Sequence, residues 1–394
     1  SSRLPARSVH RFKCVTKALR DLIDDPLNRK KLPQTLEGFF FADKPSNVDW
    51  TVEDFDFINL LPRSVPLDID PRFSFLTTGR PEIEDLVFAD SCNGLFLFQH
   101  VRMSDSFDML GYIVCNPATK QWETVPTCSC CPPITEFSQW YTFLAFDPAV
   151  SHFHLIHFLW KVDLDEDVEP LEDQMLEDQT LVFWLCAYSS ETGTWGQSQP
   201  DWNEQGQLNE QGQLQGWRYQ SRQISRHAFF NGFLHFIPAG FEHYQMVQHD
   251  QIVALDVQGK TQRIITVPAA AEGRRWAYDG YIGHSQGRLH YINNEVDAHD
   301  YKQRYELSIW VLQDYDKQEW LLKDTERSMS VVAIHQGCNL VFILQPMNRH
   351  RLIAYDMDRK EVSVIATFEH EIWDDKIAPY VPYFSESPAL TNKL

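Results

Sequence analysis

No run in this sequence approaches the roughly 18 consecutive apolar residues that a membrane-spanning helix needs. The first residues lack the apolar core of a secretory signal, so a cytoplasmic or nuclear location is the expectation. Cysteine is sparse, with eight in 394 residues, which excludes a disulfide scaffold and reads as reduced thiols. Basic charge is short as well: 35 Lys and Arg stand against 55 Asp and Glu, a net charge of −20. An acidic body of this kind argues against nucleic acid or an anionic membrane as partner, since phosphate binding needs clustered Lys and Arg.

Catalytic signatures are also lacking. Glycosidic acid–base chemistry needs two carboxylates roughly 5–10 Å apart, and no pair of acids recurs at strand ends in an informative context. His152 and His154 in "SHFHLIHF" share a strand face, but no third ligand joins them. "TCSCCPP" gives Cys128 and Cys131 a C-x-x-C spacing with no second pair at zinc-ribbon distance. Structural zinc takes four ligands, so this stretch reads as a solvent-facing loop ended by Pro132 and Pro133. No enzyme, metal or cofactor is expected.

What the sequence does contain begins with a basic head. Residues 1–35 carry nine Lys and Arg against three Asp, a net of +6, and the remainder carries −26. Val9, Phe12, Val15, Leu19, Leu22 and Ile23 recur at helical spacing. Pro5 suits a first helical turn, Thr16 an N-cap between two helices, and Pro26 a stop. Two helices this short cannot bury their own apolar stripe, so they pack on something else.

From residue 36 the period changes. "ADSCNGLFLFQH", "RHAFFNGFLHFIP", "YIGHSQGRLHYIN" and "VVAIHQGCNLVFIL" each read as strand, polar-glycine turn, strand. Each is followed by a second pair, as in "YIVCNPATKQWETVP" and "LIAYDMDRKEVSVIATF". The anchors Gly38, Gly94, Pro148, Gly232, Gly287 and Gly337 are spaced by 56, 54, 84, 55 and 50 residues. Four strands at this period are propeller blades. The reading is mainly β, one propeller of six blades over residues 35–394, or seven if residues 200–225 carry further strands. Two low-complexity insertions, 163–179 with nine acids and 203–216 with a duplicated hexapeptide, read as mobile loops.

Within a blade the second turn and the interblade connection share one end of the ring. Here the second turns, near 99–111, 161–180, 238–251 and 293–306, read as long and irregular, which places binding at that end. The connections add Trp140, Tyr141, Arg274, Arg275, Trp276 and Tyr278, aromatic and Arg anchors for a protein target.

"LPARSVHRFKCVTKALRDLI" followed by "DDPLNRKKL" resembles the second half of an F-box, in the form common in plant F-box proteins. The body, with "DSCNGLFLF", "VCNPATKQW" and the closing "PYVPYF", resembles the kelch-like F-box-associated propeller. The resemblance implies a substrate receptor of an SCF-type ubiquitin ligase, with residues 1–34 docking a Skp-type adaptor and through it a cullin. Carried over by position, the adaptor contacts would be Leu4, Pro5, Val9, Phe12, Cys14, Val15, Leu19, Leu22 and Ile23. Other subunits of such a complex transfer ubiquitin, so no catalytic residue is implied here. The family's motif begins earlier, with a first helix, and usually has Trp where this chain has Leu19. An adaptor-independent propeller scaffold is the alternative that this departure raises.

Overall fold

The computed structural model describes residues 16–17, 36–42, 51–60, 69–83, 85–103, 107–131, 138–163, 180–198, 227–237, 241–242, 245–246, 251–259, 262–271, 274–276, 280–297, 305–326, 330–346, 350–370, 372 and 377–392. Apart from Thr16 and helical Lys17, the head lies outside these residues. So do residues 164–179 and 203–216 of the two insertions.

The repeating unit folds as read because its turns carry the right backbone chemistry. Asn93–Gly94, Asn231–Gly232 and Gln286–Gly287 all have positive φ at both positions. They link Cys92 to Leu95, Phe230 to Phe233 and Ser285 to Arg288 as two-residue hairpins. At the outer end of the blades, the carboxylates of Asp256, Asp314 and Asp356 accept the backbone N–H two residues on, and Asn116 does so through its amide oxygen. The turn then reaches a left-handed residue: Lys120, Gly259, Gln318 or Lys360.

Six blades result. Blade 2 comprises Asp85–Cys92, Leu95–Met103, Phe107–Asn116 and Gln121–Pro126. Blade 3 comprises Ser138–Phe146, Phe153–Asp163, Thr180–Ser189 and Thr194–Ser198. Blade 4 is built from His227–Phe230, Phe233–Phe236, Gln251–Asp256 and Gln262–Thr266. Blade 5 is Tyr281–Ser285, Arg288–Asp297, Tyr305–Asp314 and Glu319–Glu326, with Arg274–Trp276 added beside its second strand. Blade 6 is Ser330–Ile334, Leu340–Pro346, His350–Asp356 and Glu361–Thr367. All strand pairs are antiparallel and follow chain order from the inside outward.

Blade 1 is different. Its inner strand is Ile377–Tyr380, from the far end of the chain, paired with Gly38–Ala42, which pairs in turn with Phe55–Asn59. Ring closure therefore joins residues about 340 apart in sequence. After that strand, residues 381–392 run across the first and third turns of blade 2 and the first turn of blade 3. Asn116 Nδ2 donates to Tyr383 O at 2.7 Å, and Trp122 N donates to Asn392 Oδ1 at 2.8 Å. Ser387 Oγ donates to Ser151 O at 2.8 Å.

This strap explains one glycine. A Cβ on Gly94 would sit 2.4 Å from Val381 O and 2.6 Å from Tyr383 N, whereas one on Gly232 would meet nothing within 4 Å. Both have positive φ. Gly232→Ala is expected to cost about 1–2 kcal/mol from backbone strain alone. Gly94→Ala adds about 1–3 kcal/mol for displacing the strap. Equal urea midpoints for the two variants would mean that the strap does not bear on that turn.

Three sequence expectations need correction. Gly38 is not a turn residue but opens a strand, with Phe57 and Ile58 O packed where a Cβ would go. Gly337 lies in a longer turn, closed by His335 N donating to Leu340 O. The described residues of the second turns at 99–111 and 293–306 are paired strand, running to Met103 opposite Phe107 and to Val296 opposite Tyr305. A bulge at His100–Val101 resets the alternation in the first. In the second, buried Asn293, Asn294 and Glu295 break the apolar pattern. Asn293 Nδ2 donates to Tyr291 OH, and Ser308 Oγ to Glu295 Oε1. The second turn of blade 4 also holds a small ribbon, Phe241–Glu242 with Gln245–Met246.

Candidate functional site

Strand direction fixes the two ends of the ring. Gly38 lies beside Tyr380, so the chain enters the propeller at the end that carries the first and third turns and the strap. The extended second-turn hairpins project from the opposite end. Residue 36, where the described ring begins, and the projecting hairpins thus lie at opposite ends of the ring.

The sequence-derived anchors distribute unevenly over the hairpin end. Trp140 and Tyr141 lie in the inner strand of blade 3 rather than in a connection, opposite Leu159 and Phe158. Both are half-buried, and Tyr141 stacks on Phe143 with centroids 6.4 Å apart. Arg274 is exposed at the start of its short strand. Its guanidinium pairs with Glu306 and lies 3.7 Å from the buried Glu295 carboxylate. Trp276 is 6% exposed and packs edge-on against Tyr291 between blades 4 and 5, a core position. Arg275 pairs by its backbone with Val296, and Tyr278 lies outside the described residues. All nine adaptor-contact positions, Leu4 to Ile23, lie outside them too.

The ring axis holds a cavity of about 120 Å³. Ser91, Asn93, His227, Tyr281, His284 and Gln336 contribute polar groups to its lining, among apolar and backbone surface. His227 Nε2 meets Asp90 Oδ2 at 3.0 Å, and the same oxygen accepts Leu144 N at 2.7 Å. At the strap end, Asn93 Nδ2 donates to Phe146 O and Asn93 Oδ1 accepts Gln336 Nε2. That second bond spans the gap where blade 1 has no first turn. Among the described residues the cavity lining itself contributes no carboxylate, and the Asp90 carboxylate stands behind His227.

Sequence reasoning missed one constellation. The C-x-x-C loop faces solvent only in part: Thr127 and Ser129 are exposed, but Cys128, Cys130 and Cys131 are half-buried and Cys186 from the third strand of blade 3 lies against them. Only the packing of blade 2 on blade 3 brings it there, 55 residues along the chain, so no local spacing announces it.

A family model described as the F-box associated beta propeller domain matches residues 74–371. No curated protein matches the sequence. Among solved structures, the six-bladed fungal lectin of Aleuria aurantia is 10% identical, at a TM-score of 0.32 over 72% of this chain and 77% of that one. A GH32 β-fructofuranosidase of Bombyx mori is 11% identical, at a TM-score of 0.32 over 92% of this chain and 65% of its own. An arabinanase of Bacillus subtilis is 9% identical, at a TM-score of 0.27 over 71% and 92%. Likenesses this distant carry no argument about chemistry.

Proposed function

Because the chain belongs to the F-box-associated β-propeller family, we propose that it is the substrate-recognition subunit of an SCF-type ubiquitin ligase. The family match, together with the F-box-like residues ahead of the ring, carries this reading. In it the head docks a Skp-type adaptor and through it a cullin, and the hairpin end of the propeller holds a target protein. Entry of the described chain at the end opposite the hairpins supports it, since that leaves the hairpin end open to a target. The basic charge of the head suits an acidic adaptor surface. Trp140, Tyr141 and exposed Arg274 are the target contacts favoured by position, and the sequence adds Arg275 and Tyr278 as candidates. The proposed setting is the cytoplasm or nucleus, with no nucleic-acid or membrane partner.

Calorimetry of the full-length protein with a Skp adaptor tests the proposal. Tight binding is expected, lost on Val15→Asp or Ile23→Asp while the propeller keeps its unfolding transition. A full-length protein that folds and binds no adaptor would sink the receptor reading. The weight would then move to an adaptor-independent scaffold, for which Leu19 in place of the usual Trp is the pointer.

A further inference from the structure

Four of the chain's eight cysteines converge where the connection leaving blade 2 crosses blade 3. Sγ of Cys128 and Cys131 are 3.6 Å apart, and those of Cys131 and Cys186 are 3.1 Å apart. The thiols of Cys128, Cys130 and Cys186 all lie within 4.8 Å of one another. Four sulfurs around a zinc ion at about 2.3 Å form a tetrahedron with edges of about 3.8 Å. The two S–S distances are within about 0.7 Å of that edge, and the Cys128, Cys130 and Cys186 sulfurs spread no more than about 1 Å beyond it, so a small closure of the loop brings all four to one ion.

We propose that Cys128, Cys130, Cys131 and Cys186 form a structural Zn2+ site that pins the connection between blades 2 and 3 onto the third strand of blade 3.

The donors suit the role. Cys186 is fully buried on a strand held on both sides, opposite His157 and Gln197, so one ligand is fixed by the sheet. The other three come from one short loop that can close over the ion. Binding a dication there would expel the thiol protons to solvent. The alternative pairing, a Cys131–Cys186 disulfide, would have to close the 3.1 Å separation to about 2.05 Å.

The test uses the full chain, purified and kept reduced, with Zn2+ and Co2+ as probes. About one zinc per chain is expected by elemental analysis. Exchange with Co2+ should give the intense visible bands of a tetrahedral thiolate site. Cys186→Ser should lose the bound metal, and Cys130→Ser, on the loop, should lose it while leaving the β-sheet circular dichroism unchanged. Cys338→Ser, on a distant blade, should keep full stoichiometry. The proposal is overturned if the folded, reduced wild-type chain takes up no stoichiometric Zn2+, or if its Co2+ spectrum is octahedral. It is equally overturned if Cys130→Ser and Cys186→Ser both retain the metal, or if non-reducing mass spectrometry finds Cys131 bonded to Cys186 in place of a metal.

Discussion

Phe40→Ala is expected to destabilise the ring by about 3–5 kcal/mol, the usual cost of emptying a fully buried aromatic site. Phe40 is 0% exposed and sits where blade 1, the closing strand and blade 2 meet. Its ring centroid lies 4.8 Å from Phe96, 4.9 Å from Phe57, 5.2 Å from Tyr380 and 5.3 Å from Phe73. Several of these contacts are edge-on, the geometry that aromatic quadrupoles favour. Neighbours from three separate stretches of chain cannot collapse together into the void without moving whole strands, so the cost falls at the upper part of the range. The urea midpoint of the purified protein measures it, with Val364→Ala as control. Val364 is 56% exposed on the outer strand of blade 6, and its loss should stay within about 0.5 kcal/mol. Similar midpoints for the two variants would contradict the account of ring closure given above.

Acid is expected to unfold the propeller well before its carboxylates protonate. His157, His235 and His290, in blades 3, 4 and 5, are each 2% exposed or less. Burial is the leading cause in all three cases and lowers each to about 4. The unfolded chain holds them near 6.5, so between pH 6.5 and 4 it binds protons that the folded ring does not. Their contribution is complete above about pH 6.5, is lost as pH falls through that window, and changes no further below about 4. At about 1.36 kcal/mol per pKa unit, each accounts for up to roughly 3 kcal/mol, and groups on separate blades add. Urea midpoints at pH 7.5, 6, 5 and 4 should therefore fall steeply below pH 6.5. His290→Gln should flatten the fall by removing one titrating group. A midpoint constant from pH 7.5 to 5 would show that these imidazoles are hydrated in the folded state.

The blades were legible because their turns are written in local chemistry. Asn-Gly and Gln-Gly at the first turns, and Asp or Asn opening the third, specify backbone conformations that few other residues adopt. What escaped reading depended on contacts between distant stretches. Ile377–Tyr380 is a short apolar run with no turn partner of its own, and only the vacancy inside Gly38–Ala42 makes it an inner strand. The bulge at His100–Val101 shifted the side-chain alternation by one, so a paired strand looked like a loop. Trp276 resembled a surface anchor because Arg274 and Arg275 precede it, yet the strand it belongs to turns its ring inward onto Tyr291. Cys186 escaped for the same reason as the closing strand, since its partners lie on the neighbouring blade.

Closure by the far end of the chain also sets a timetable. Phe40 emerges from the ribosome about 340 residues before Tyr380, which at 5–20 residues per second is roughly 20–70 s. Through that interval the apolar face of the first strands has no inner strand to cover it, while blades 2 to 6 can already fold. Until then the phenylalanines of Gly38–Ala42 lack the strand that covers them in the closed ring. In that interval chaperones and aggregation compete for the chain, and the arrival of Ile377–Tyr380 ends the contest.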